Sequence, residues 1–71
     1  MRVKVRLDTM KDIQNFINAV SGVEDNVVLE DGKGHCVNAR SILGVIYSTE
    51  WTHVYCYCSR DISGRIIQWI V

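Results

Sequence analysis

The sequence predicts an α+β fold, an open-faced two-layer sandwich in the order βαββαβα, with a four-stranded antiparallel sheet and three helices on one face. Three observations predict it. Apolar residues alternate with period two around residues 3–7, 27–29 and 54–58. Between these runs they recur at helical spacing, and no βαβ repeat is long enough to build a doubly wound parallel sheet. With 71 residues, 48% of them apolar, the whole chain (1–71) makes one domain. That is near the lower size limit at which a single core offsets chain entropy without staples.

Taken in order, Val3, Val5 and Leu7 alternate with Arg2, Lys4 and Arg6, the pattern of a strand with one buried and one wet face. Asp8 and Thr9 are both good N-caps. Behind them Met10, Ile13, Phe16, Ile17 and Val20 keep helical spacing up to Gly22, which predicts a helix from about Thr9 to Ser21. Val27 and Leu29 form the inner face of a second strand, and Asp31-Gly-Lys-Gly34 supplies turn residues that accept positive φ. A hairpin into His35-Cys36-Val37-Asn38 follows. The next segment, about Arg40 to Tyr47, is predicted as a short helix that must dock on the sheet, because so few residues cannot hold a helix alone. From Thr52 to Cys58, Val54, Cys56 and Cys58 lie on one face, with His53, Tyr55 and Tyr57 on the other. Ser59 or Asp61 caps a last helix whose apolar stripe is Ile62, Ile66, Trp69 and Ile70, although Gly64 weakens it by about 1 kcal/mol relative to Ala.

Eight basic and eight acidic residues leave no net charge, so the whole-chain balance gives no footprint for nucleic acid or for an anionic membrane surface. Partners are expected to be proteins, recognised locally. The N-terminal residues alternate apolar and basic and do not read as a signal peptide, and no apolar run is long enough to span a bilayer. Three cysteines, an odd number without an export signal, point to reduced thiols and a cytoplasmic protein. Cys36, Cys56 and Cys58 with His35 and His53 raise a zinc reading. One residue between two cysteines on a strand is the wrong spacing for it, and His53 points away from the cysteine face, so no metal is expected. Asp31-Gly-Lys-Gly34 is not a phosphate-binding loop, and neither a nucleophile elbow nor paired carboxylates are present, so neither enzymatic activity nor a cofactor is expected.

The stretch Asp31-Gly-Lys-Gly-His-Cys-Val-Asn-Ala-Arg-Ser-Ile-Leu-Gly-Val-Ile46 resembles the strand–serine–short helix segment of the HPr phosphocarrier family of the bacterial sugar phosphotransferase system. The element order of the whole chain is similar too, and the resemblance implies the same open two-layer sandwich. The family's reactive histidine, followed by a small residue, Arg and Pro at the start of the first helix, is missing from Leu7-Asp-Thr-Met-Lys-Asp-Ile-Gln14. Its place falls on Thr9, Met10 or Lys11, none of which can carry a phosphoimidazole. Arg40-Ser-Ile-Leu-Gly-Val45 matches the family's usual Lys-Ser-Ile-Met-Gly-Val, which puts Ser41 at the regulatory serine phosphorylated in Gram-positive relatives by HPr kinase.

A phosphate there would bring about −1.5 to −2 charge to a helix start, with Arg40 adjacent. The alternative is that Ser41 only caps the helix. Ile42, Leu43 and Ile46 match the positions through which HPr proteins dock on partners, and Val45 is the best core candidate; a fully buried set is the alternative. The chain resembles the family's catabolite-repression paralogues, which also lack the histidine and keep the serine. The resemblance implies a regulatory or partner-binding role, with HPr kinase, a transcriptional regulator or phosphotransferase components as partners. A protein-interaction module with no link to sugar transport is the competing expectation. A phosphocarrier that uses Thr9 or another histidine is a third.

Overall fold

The computed structural model describes residues 1–71. Its elements are β1 (Arg2–Val5), α1 (Met10–Ser21), β2 (Val27–Glu30), β3 (Cys36–Asn38), α2 (Ile42–Ser48), β4 (Val54–Cys58) and α3 (Ser63–Ile66), followed by a 3₁₀ turn over Ile67–Trp69. The four strands form one antiparallel sheet in the order β1-β4-β2-β3. Because side chains alternate across a sheet, its register sorts them into two faces. Val3, Cys56, Leu29 and Val37 form one cross-strand row on the inner face. Arg2, Tyr57, Val28 and Asn38, and then Lys4, Tyr55, Glu30 and Cys36, form two rows on the outer one.

The inner face and the helices enclose the core. Phe16 and Val20 of α1, Val27 and Leu29 of β2, Val45 of α2, Cys56 and Cys58 of β4 and Ile66 of α3 are fully buried. Each larger aliphatic or aromatic among them contributes roughly 1.5–3 kcal/mol relative to exposure. Phe16 meets Trp69 edge-to-face, with ring centroids 5.5 Å apart, an arrangement that adds to plain area burial. Gly32 and Gly34 both take positive φ, 78° and 102°, as the hairpin turn between β2 and β3 requires. No helix is long and apolar enough to cross a membrane.

The chain departs from expectation chiefly at its end. In place of one helix through Ile70, α3 stops at Ile66, a 3₁₀ turn follows, and Ile70 is extended at φ −72°, ψ 132°. Strand-like pairing wins over helical continuation here. The Arg6 N–H donates to Trp69 O at 2.9 Å and the Val71 N–H to Lys4 O at 3.0 Å, laying the last residues along the free edge of β1. Of the two capping candidates Asp61 is the one used: its Oδ1 accepts the Ser63 N–H at 3.0 Å and the Ser63 hydroxyl at 2.7 Å, although the residue at the helix boundary is Ile62. The fourth strand begins at Val54 and not at Thr52. Val54 itself is only half-buried, unlike Cys56 and Cys58.

Candidate functional site

The residues singled out from the sequence lie at two helix starts, and the chemistry of the two differs. At α1, Thr9 is the N-cap and forms a reciprocal capping box: its Oγ1 accepts the Asp12 N–H at 3.0 Å, while Asp12 Oδ2 accepts the Thr9 N–H at 3.3 Å. Asp12 Oδ2 also accepts the Asp8 N–H at 3.1 Å. That bond above all, with the Thr9 and Trp69 contacts, holds the Asp12 carboxyl below its ordinary range, against the smaller opposing effect of desolvation. The chain's own Thr9 and Asp12 side chains thus engage the Asp8, Thr9 and Asp12 N–H groups around this helix start. Met10 and Lys11 occupy the first helical positions, both exposed.

At α2, Ser41 is the exposed N-cap and its Oγ accepts the Gly44 N–H at 3.2 Å. Arg40 does not reach toward it. Its guanidinium donates to Val23 O, and to Asp25 O at 3.0 Å, tying down the link between α1 and β2. The pairing of Arg40 with a phosphate on Ser41, expected from adjacency, is thus replaced by a structural role.

The helix itself inverts the usual arrangement. Val45 and Ser48 are buried, and Gly44 lies against β3 so closely that an added Cβ would stand 3.1 Å from Val37 Cβ. Small residues on the inner side bring the helix axis close to the sheet, and the large aliphatics are left outside. Ile42 is 45% exposed, Leu43 76% and Ile46 37%. Tyr47, one helical turn after Leu43, extends this surface and was not singled out by the sequence. The signal was there in the i, i+4 spacing of Leu43, Tyr47 and Trp51. Tyr47 meets Trp51 edge-to-face at 5.9 Å, and Trp51 lies 6.3 Å from His35 across the hairpin.

Both histidines sit away from any helix start. His35 Nδ1 is 2.7 Å from Asp31 Oδ2. Desolvation opposes ionisation of Asp31, but the Lys33 N–H, the His35 ring and the His35 N–H together keep its carboxyl below the ordinary range. His53 is exposed beside Tyr55, with ring centroids 6.4 Å apart. All three cysteines are free thiols. Burial pushes Cys56 up to about 12, and Cys58 adds to the effect, so at neutral pH this sulfur is an unreactive core group. No three His, Cys, Asp or Glu side chains gather closely enough to hold a metal ion. A cavity of about 420 Å³ opens between the end of β1 and the link from α2 to β4, with Arg6, Asp8, Trp51, Thr52 and His53 in its wall.

Compared with protein-family models, curated proteins and solved structures, the chain matches none of them. What the fold and the site define is a small α+β domain with an open antiparallel sheet and an exposed aliphatic helix face.

Proposed function

We propose that the protein is an HPr-like regulatory or partner-binding domain of the bacterial sugar phosphotransferase system, working in the cytoplasm without carrying phosphate itself. The observation that carries the reading is the outward placement of Ile42, Leu43 and Ile46 on α2 while the small residues of the same helix face the sheet. These are the residues that the resemblance over Asp31–Ile46 assigns to docking. Exposed aliphatics that a helix could have buried are where interface energy concentrates.

Ser41 is the proposed regulatory site, accepting phosphate from HPr kinase. With Arg40 committed to Val23 and Asp25, a phosphate on Ser41 would stand uncompensated beside Ile42. Modification would therefore weaken an apolar partner's hold. The partner itself is proposed to be a transcriptional regulator or a phosphotransferase component. Thr9, Met10 and Lys11 supply no imidazole at the start of α1, which supports a role other than phosphocarrier.

The test is incubation of the purified protein with HPr kinase and ATP, then mapping of the phosphate. Modification of the wild type and none of Ser41→Ala is expected. Equal labelling of both proteins, or none of either, removes the regulatory site from the proposal. Incubation with enzyme I and phosphoenolpyruvate should leave no acid-labile phosphate; its appearance on His35 or His53 would restore a phosphocarrier.

A further inference from the structure

The face of the sheet that the helices leave uncovered carries a pattern that the docking helix does not explain. Along β4 and the residue before it, Tyr57, Tyr55 and His53 all project to this face. Along β1 and its extension, Arg2, Lys4 and Arg6 run beside them, with Arg2 opposite Tyr57 and Lys4 opposite Tyr55. Within the four strands the only carboxylate is Glu30, already engaged by Arg2. Within the strands two cations, Arg2 and Lys4, thus share this face with one acid; Arg6 extends the row just beyond β1, and Asp8, Asp31 and Glu50 flank its His53 end.

In the aromatic row His53 and Tyr57 are exposed and Tyr55 is half-buried, with the His53 and Tyr55 rings tilted 42° to each other. Tyr57 is 45% exposed. The Arg2 guanidinium lies over Tyr55 at 4.0 Å from the ring centroid, presenting a planar cation in place of the bare ring. Guanidinium planes stack on bases as aromatic rings do. Gly32 completes this corner: its missing Cβ would lie 3.5 Å from Arg2 Nη2 and 3.6 Å from Tyr55 Cε2, so the hairpin turn borders the stack without covering it. Same-face residues on a strand repeat at about 6.6–6.8 Å, and the His53 and Tyr55 rings are 6.4 Å apart. This is about twice the 3.4 Å rise along one strand of a duplex. The spacing suits an unstacked strand with one base per ring and does not suit a helical one.

We propose that the open face of the sheet binds single-stranded nucleic acid, bases stacking on Tyr57, on the Arg2–Tyr55 layer and on His53, and phosphates meeting Lys4, Arg6 and the free edge of Arg2. An acidic protein surface would use the same cations but has no need of the rings. That difference separates the two occupants.

The full chain is titrated against fluorescein-labelled ten-nucleotide oligo(U) and oligo(dT), followed by anisotropy, with a duplex of equal length and heparin as competitors. Saturable binding to the single strands is expected, with a slope of log K against log salt near −2, about −0.7 for each of three neutralised phosphates. Tyr57→Ala should weaken binding by about 5-fold or more, the loss of one stacked base, and Tyr57→Phe should restore it. Circular dichroism confirms that both variants are folded. The proposal is overturned by absence of saturable binding in the high micromolar range, by equal affinity for duplex or heparin, or by binding that Tyr57→Ala leaves unchanged. The last two outcomes identify a general polyanion surface of the kind an acidic protein would meet.

Discussion

Helices α1 and α2 pack against the same sheet and use their apolar residues in opposite ways. The longer α1 buries its large side chains, Ile13, Phe16 and Val20, and leaves polar residues outside. The seven-residue α2 buries Val45 and Ser48, brings Gly44 against Val37, and leaves Ile42, Leu43 and Ile46 in solvent. Exchanging those roles would bury more apolar area on α2, so its pattern is not the one that stability alone favours. The difference teaches that α1 holds the domain together while α2 presents a surface.

The largest effects should break the domain from either helix. Val45→Asp forces a carboxylate into the core at a cost of several kcal/mol, against a total stability of about 3–5 kcal/mol for so small a chain. Phe16→Ala removes about 3–5 kcal/mol by leaving a cavity beside Trp69. Both variants should lose their cooperative thermal transition by circular dichroism. If Leu43→Asp or Ile46→Asp unfolds the protein as Val45→Asp does, α2 is wholly core and the contrast disappears.

An intermediate effect is expected from pH. Asp12 has a folded pKa below its unfolded value near 3.8, so the stabilisation it brings to the α1 cap is present above that value and is lost as pH falls through the folded pKa. Asp31 and Asp61 are shifted in the same direction and should add to acid destabilisation below about pH 4. Cys56 has the opposite sign. Its folded pKa is raised from 9.0 to about 12, so folding is favoured while the thiol is neutral and loses ground as pH climbs from 9 toward 12. Urea titrations across the range should give a stability plateau bounded on both sides. Asp12→Asn should flatten the acid side, and Cys56→Ala the alkaline side.

A smaller loss, about 1 kcal/mol, should follow Thr9→Ala, which breaks the capping box of α1. Ser41→Ala removes one bond from a solvent-exposed cap and should cost less. Leu43→Asp should hardly change stability and yet abolish partner binding in a pull-down, the sharpest form of the distinction between the two helices.

Much of this was legible in the sequence. The alternation in Val3, Val5 and Leu7 and in Cys56 and Cys58 reported the inner face correctly, because period-two burial is local information. Val45 could be selected as the core residue of α2 because a short helix cannot turn four aliphatics inward. Two features were not legible. Arg40 reaches Val23 and Asp25, a contact between segments whose proximity depends on the packing of α1. The early end of the last helix depends on the edge of β1, more than sixty residues away, so propensity and stripe alone favoured a longer helix. Tyr47 was overlooked for a different reason: its spacing from Leu43 was visible, but only the docked helix shows which way that face points.

The pairing of the last residues with β1 also orders events in time. Within residues 1–71, β1 precedes both of its neighbours, β4 and residues 69–71, in the chain. While residues 54–71 are still inside the ribosome, β1 has nothing to pair with, and Val3 and Val5 wait uncovered. Folding of this domain must follow its synthesis, and such long-range pairing is intrinsically slow. Chains stalled before Val54 emerges should remain sensitive to protease throughout, and resistance should appear as a single step once residues 69–71 have emerged.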